Sequence, residues 1–280
     1  MTMNQKNIVI IPIYKESLKD FEIVSLKQCL HVFSQRPVFF VTYRELTLDF
    51  YNEIIAASGT VSGIEFFDKT YFDSVWGYNN LLLSLEFYSR FHDYENMLIY
   101  QLDAYAFQDD LDAWCTRGYD YIGAPWFKKH RTHEEGKRLW KVGNGGFSLR
   151  RIKSYIDILS CEGPLFNPWE SWRRLNTYDL THMPLKLVFL LAKYFGYKNT
   201  LHELLQIFKN NEDVFWSSAF VNSSIPFRVP SAKEAISFAF EKSPGYLFKM
   251  NGNKLPFGCH AWQKYEFDTF WKQHINLEVY

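Results

Sequence analysis

LIYQLDAYAF, residues 98–107, runs an apolar stretch that begins at Met97 directly into one carboxylate, Asp103. Met97, Leu98, Ile99 and Tyr100 do not alternate with polar residues. Such a run reads as a strand covered on both faces, the kind found inside parallel sheets. In open α/β sheets, ligands bind in the crevice beyond the carboxyl ends of these strands. Asp103 therefore stands where a substrate or metal would sit. The competing reading is a turn cap, since Asp109 and Asp110 follow closely.

Outward from this strand, the chain alternates in a regular way. Asn7 to Ile13 (NIVIIPI) reads as a strand, followed by a polar turn at Tyr14–Ser17 and a helix from about Leu18 to Val32. Val38–Thr42 and Gly63–Phe67 repeat the strand pattern around a helix at Leu46–Ala57. Tyr78 to Phe91 predicts one amphipathic helix, with Leu81, Leu82, Leu85 and Tyr88 at helical spacing. Asp110–Arg117 reads as a helix and Tyr119–Ile122 as a short strand. This order predicts an α/β fold with a Rossmann-type, mostly parallel central sheet flanked by helices, and a more helical C-terminal part. With no repeat or linker in view, residues 1–280 read as a single domain.

Bulk properties narrow the function. The 31 basic residues balance the 31 acidic ones, so no global field attracts nucleic acid or an anionic membrane. Cys29, Cys115, Cys161 and Cys259 are widely spaced, which fits reduced thiols in a cytoplasmic protein. The N-terminus lacks a secretion-type hydrophobic run, which predicts no export. The aromatic share of 19% favours core packing and also suits ligands with flat or apolar faces, such as sugars and nucleotides. Pro184–Phe195 (PLKLVFLLAKYF) is too short to span a bilayer, which needs about 20 apolar residues, and predicts a buried helix or an interfacial docking face.

Four further segments could carry chemistry. Val142–Arg150 (VGNGGFSLR) offers Asn144 beside Gly143, Gly145 and Gly146, whose bare backbone admits a close ligand. Asn144-Gly145 is equally the sequence of a type I′ hairpin turn. Glu212 and Asp213 in NNEDVFW stand at a predicted helix start running to Val221. There they either cap the helix or supply an ionised, rigidly aimed base, weakened by the helix dipole. His260, after Gly258 and Cys259 and before Trp262, is read as a neutral imidazole, either packed in the core or completing a metal or diphosphate site with Asp103. Phe127–Lys141 holds six basic residues against two acidic ones and reads as a solvated loop or a lid over an anionic ligand.

In order, WGYNNLLLSLEFYSRF (76–91), LIYQLDAYAF (98–107), YDYIGAPW (119–126), VGNGGFSLRR (142–151), NEDVFW (211–216) and PFGCHAW (256–262) resemble nucleotide-sugar-dependent glycosyltransferases of the GT-A fold. They are most similar to a mainly bacterial glycosyltransferase-like family catalogued as a domain of unknown function. The resemblance implies a donor-binding half at about 1–125 and an acceptor-binding, catalytic half at about 142–280. It implies that Ile10–Glu16, including Ile11, Pro12, Tyr14 and Glu16, holds base and ribose. Asn79, Gln101, Asp103, Asn144, Gly145 and Gly146 would complete the donor site. Asp103 would take the place of an Asp-x-Asp metal motif, with Tyr105 at its third position, so that one carboxylate and His260 hold Mn²⁺ or Mg²⁺. Alternatively, cations of the Phe127–Lys141 loop neutralise the leaving group without metal.

In that scheme Asp213 is the general base and Glu212 binds the acceptor. The implied activity is inverting transfer of a sugar from a nucleotide diphosphate to a glycan or lipid-linked glycan, in bacterial surface polysaccharide synthesis. The implied setting is cytoplasmic, with a peripheral contact at the inner face of the membrane if the acceptor is lipid-linked. Two other readings stand beside it: a noncatalytic nucleotide-sugar or glycan-binding module, and a glycoside hydrolase using Asp103 and Asp213.

Overall fold

The computed structural model describes residues 6–128, 138–164, 200–208, 210–220 and 225–277. Its central sheet is built from β1 (Asn7–Pro12), β2 (Val38–Thr42), β3 (Gly63–Phe66), β4 (Asn96–Tyr100), β6 (Tyr121–Ile122) and β9 (Phe147–Arg151), in the order β3-β2-β1-β4-β9-β6. The first four strands are parallel to one another. Strand β9 runs antiparallel between β4 and β6. The fold is thus mixed α/β with a mostly parallel sheet. Every residue of β1 and β4 is buried, as their continuous apolar runs predict.

Helices α1 (Asp20–Val32) and α2 (Asp49–Ser58) follow β1 and β2 as crossovers. The single helix expected over 78–91 is instead two, α3 (Val75–Leu82) and α4 (Leu85–Ser89). Ser84 is the cause: its hydroxyl accepts from Phe87 N at 3.2 Å and donates to Leu81 O at 2.7 Å, capping one helix while closing the other. Helix α5 (Leu111–Cys115) precedes β6, and α6 (Ile152–Leu159) follows β9.

Two smaller sheets complete the frame. Strands β7 (Pro125–Phe127) and β8 (Leu139–Val142) form a hairpin, so the ends of the basic segment are ordered strand. Its middle, 129–137, lies outside the described residues, as does the apolar segment 184–195. Strand β5 (Ala104–Ala106) pairs antiparallel with β11 (Gly258–His260), which pairs with β10 (Ala239–Phe240). The C-terminal part adds helices α7 (Leu201–Ile207), α8 (Glu212–Ser218) and α9 (Pro244–Met250). Among the described residues no helix is long and apolar enough to cross a membrane.

Many of the aromatic residues fill the core. Tyr155 lies 4.4 Å from Tyr88 and 4.2 Å from Trp216 between ring centroids, clamping α8 to α4 and α6. A second cluster, with Tyr105, Leu247, Trp262, Phe270 and Trp271, backs the β5–β11 pair. The four cysteines are free thiols, with Cys29 and Cys259 buried.

A polar lock sits among the segments that enter the sheet. Arg36, 3% exposed, donates to Asp109 at 2.6 Å and to Asp112 at 2.8 Å. Asp112 also accepts from Asn7, which accepts from Asn96, so one network joins α5 to β1 and β4. Truncation strands two carboxylates that keep partial access to water, which moderates the cost of breaking a buried pair. Arg36→Ala is expected to lower unfolding free energy by about 2 kcal/mol, measured by urea denaturation.

Candidate active site

The topology gathers the candidate residues at one edge of the sheet. Parallel strands β1 and β4 end there, and antiparallel β9 begins there, with Tyr100 registered opposite Phe147. Gln101 N donates to Gly146 O at 2.8 Å, extending the pairing into the glycine turn. Strand β11 brings His260 opposite Ala104, next to Asp103. Helix α8 presents Asp213, whose Oδ2 accepts from Asn144 N at 2.9 Å. Asp103, the 144–146 turn, Asp213 and His260 are therefore linked by direct contacts.

The turn is not the type I′ hairpin that Asn144-Gly145 allows. Strand β8 pairs with β7, whereas β9 pairs with β4 and β6. Only Asn144 (φ 75°) is left-handed, whereas type I′ needs positive φ at two successive residues. Asn144 Oδ1 accepts from Gly146 N at 2.9 Å, stabilising that geometry. Glycine is required next, because a Cβ on Gly145 would lie 2.3 Å from Glu212 Oε1. One on Gly146 would lie 2.1 Å from His260 Nε2 and 2.6 Å from Gln101 Oε1. Among the described residues the buried Asn144 Nδ2 has no hydrogen-bond partner, a donor still to be satisfied.

Around His260 the donors form a compact set. Its Nε2 is 3.0 Å from Asp103 Oδ1 and 3.3 Å from Gln101 Oε1, and its Nδ1 is 3.9 Å from Glu241 Oε1. The i, i+2 pair converging here is thus Gln101 and Asp103. Tyr105, placed by sequence in the motif's third position, is buried in the cluster around Trp262. Burial alone would lower the His260 pKa, but Asp103 and Glu241 overcome it and raise the ring to about 10. The ring is an imidazolium, where the sequence suggests a neutral one. Burial likewise favours a neutral Asp103, yet His260 outweighs it and lowers that carboxyl's pKa.

Asp103 Oδ1 and His260 Nε2 are two atoms of the kind that bind a divalent cation. Two ligand atoms 3.0 Å apart suit neighbouring corners of one coordination shell. Binding there has to displace the imidazolium proton. Among the described residues no group of three His, Cys, Asp or Glu side chains could hold a metal, so other oxygens must complete the shell.

The adjacent acids on α8 part company. Asp213 is 8% exposed; burial raises its pKa despite hydrogen bonds from Asn144 N and Val214 N. It is a stronger base than a helix start alone would make it. Glu212, 3% exposed, points inward to Arg150, whose Nη2 donates to Oε1 at 2.8 Å. The geometry does not bring it to an acceptor. Asn79 is also engaged internally: Oδ1 accepts from Glu212 N at 2.8 Å and Nδ2 donates to Val75 O at 2.8 Å. Ile11 and Pro12 are buried in β1, which leaves Tyr14 (51% exposed), Lys15 and Glu16 as the accessible side chains of that segment. Sequence reasoning misses Glu241, a lone acid after β10, and Arg150, a core cation without an extended motif.

Burial raises the Glu212 carboxyl to about 7, with Arg150 pulling it back. Between its ordinary value near 4.5 and 7, the folded chain keeps a proton that the unfolded chain has lost. This group therefore withdraws stability as pH rises through that window. Wild type is expected to lose melting temperature between pH 5 and 7.5, and Glu212→Gln to lose less, measured by scanning calorimetry.

A family model described as "Protein of unknown function (DUF5672)" matches residues 62–260. No curated protein matches the sequence. Among solved structures, the chain is similar to the glycosyltransferase GlyE of Streptococcus pneumoniae TIGR4, at 12% identity over 99% of this chain and 62% of that one, with a TM-score of 0.46. It is also similar to the Mn/GDP form of core-mannan synthase A (CmsA/Ktr4) of Aspergillus fumigatus, at 13% identity over 54% and 60%, TM-score 0.39. A third similarity is to 4-diphosphocytidyl-2C-methyl-D-erythritol synthase of Anaerococcus prevotii, at 12% identity over 58% and 79%, TM-score 0.35. The chain spans 62% and 60% of the two transferases. Because the family match covers well over half of its length, the chain belongs to the DUF5672 family of proteins of unknown function.

Proposed function

We propose that the chain is a nucleotide-sugar-dependent glycosyltransferase of GT-A type that transfers with inversion. The observation that carries this reading is the contact chain at the sheet edge. Asp103, Gln101 and His260 form one cluster, Gly146 packs against it, and Asn144 joins it to Asp213. The donor's base and ribose are assigned to the segment after β1, with Tyr14, Lys15 and Glu16 its accessible side chains. Its diphosphate is assigned to the Asp103–His260 cluster and its sugar to the 144–146 turn. Residues 1–125 then supply most of the donor site and 142–280 the acceptor side.

The reaction is a single displacement. Asp213 takes the proton of an acceptor hydroxyl as that oxygen bonds to the anomeric carbon, and the bond to the nucleoside diphosphate breaks with its electron pair on the leaving oxygen. Burial suits Asp213 to this, because a raised pKa strengthens the base. Asp103 and His260 would hold Mn²⁺ or Mg²⁺ together with diphosphate oxygens, and that ion would supply positive charge to the leaving group. Glu212 positions Asp213 through Arg150. The acceptor is read as a glycan or lipid-linked glycan of a bacterial surface polysaccharide, handled in the cytoplasm or at the inner membrane face.

Gln101 at the place of a second carboxylate favours one other reading, a noncatalytic nucleotide-sugar or glycan-binding module. Asp213→Asn separates the two, because it keeps the side chain's shape and one of its two backbone hydrogen bonds, from Asn144 N or Val214 N, while removing the base. Release of nucleoside diphosphate from a panel of nucleotide sugars, with a mixed glycan acceptor and Mn²⁺, is expected to fall at least about 100-fold in this variant. Unchanged release, or none from wild type, contradicts the transferase.

A further inference from the structure

The hairpin that leads into the site carries an aromatic pair outside the donor-site assignments. Trp126 on β7 and Trp140 on β8 stack with centroids 6.5 Å apart and planes 27° apart. Trp126 is fixed from below, since a Cβ on Gly143 would lie 1.9 Å from its ring. Trp140 is 46% exposed, far more than its stacked partner's packing requires. Lys141 Nζ sits 4.8 Å from the Trp140 centroid and donates to Ser218 Oγ at 3.1 Å, so the rim of the indole carries an amine and a hydroxyl. That bond also ties the hairpin to α8, the helix that bears Asp213.

We propose that Trp140, backed by Trp126 and rimmed by Lys141 and Ser218, is a stacking platform for one pyranose ring of the acceptor. The chemistry matches a sugar: an apolar ring face lies on the indole, and equatorial hydroxyls meet the polar rim. One exposed indole is far below the roughly 800 Å² that a stable protein partner buries per side. The location matches too. Asn144 lies four positions after Trp140, a span of at most about 14 Å, and Asn144 N is bonded to Asp213. A ring on Trp140 therefore lies within a few sugar units of the proposed base. This inference rests on the transferase reading for its assignment to the acceptor, but the binding itself does not.

The test is NMR titration of the full chain with methyl α- and β-glycosides of glucose, galactose, mannose and N-acetylglucosamine. Trp140→Phe identifies the Trp140 indole N–H by the resonance it removes. The proposal expects at least one glycoside to shift that resonance and to show saturation transfer. Affinity should fall about fivefold or more in Trp140→Ala, less in Trp140→Phe, and stay unchanged in Lys153→Ala, an exposed position of α6. A Trp140 resonance unmoved by every glycoside overturns it even if the alanine variant fails to fold, as does equal affinity in a folded Trp140→Ala. Nucleotide-sugar melting shifts measured in parallel keep the two readings apart. Glycoside binding at Trp140 with no nucleotide-sugar binding leaves the platform standing and removes the transferase, and the reverse result removes the platform alone.

Discussion

A guanidinium buried in the core, Arg150, holds the site together. It reaches from strand β9 to Glu212 at 2.8 Å, while Nη1 donates to the Tyr88 hydroxyl at 2.8 Å and Nε to Ser148 Oγ at 3.2 Å. Tyr121 and Tyr155 lie against its faces, each with its centroid 5.8 Å away. A buried pair of this kind gains little over an apolar core, but losing one partner costs about 3–5 kcal/mol because a charge is stranded. Its value is therefore geometric. It allows α8 only one rotation against the sheet, the one that sends Glu212 inward and Asp213 toward Asn144.

The same constraint explains which parts of the molecule were legible in the sequence. Strands β1 and β4 were readable because burial on both faces leaves an unbroken apolar run, and their parallel pairing followed from the alternation with helices. The antiparallel β9 between β4 and β6 was not, since nothing local to FSLRR records its direction. Yet that reversal delivers the glycine turn to the edge where β4 ends. Ser84 hid a helix break because one polar residue fits the outer face of an amphipathic pattern. Glu212 and Asp213 are both read as facing the site because they are adjacent, whereas neighbours on a helix point about 100° apart.

The site's electrostatics follow from folding more than from motif. Asp103 meets His260, 157 positions on and already set beside it in the sequence reading, because β5–β11 pairing brings the two together. The resulting cluster sets a largely buried imidazolium between two carboxylates, and burial strengthens the interaction of charges. Such a cluster makes proton state and bound cation depend on each other. Glu241 enters only through that geometry, facing His260 and raising the pKa of Asp213. Gly145 and Gly146 were singled out for backbone access. Their additional role is to leave room for Glu212 and His260 side by side.

The central claim is that this edge of the sheet is a donor site for a nucleotide diphosphate sugar. The most direct measurement is thermal unfolding of the wild-type chain and of Asp103→Asn with UDP-, GDP-, ADP-, CDP- and dTDP-linked sugars, each with and without Mn²⁺. A ligand that binds only the folded state raises the melting temperature by mass action. The account predicts that one nucleotide class raises it by several degrees in wild type and by far less in the variant. No rise with any nucleotide sugar, or an equal rise in Asp103→Asn, contradicts it.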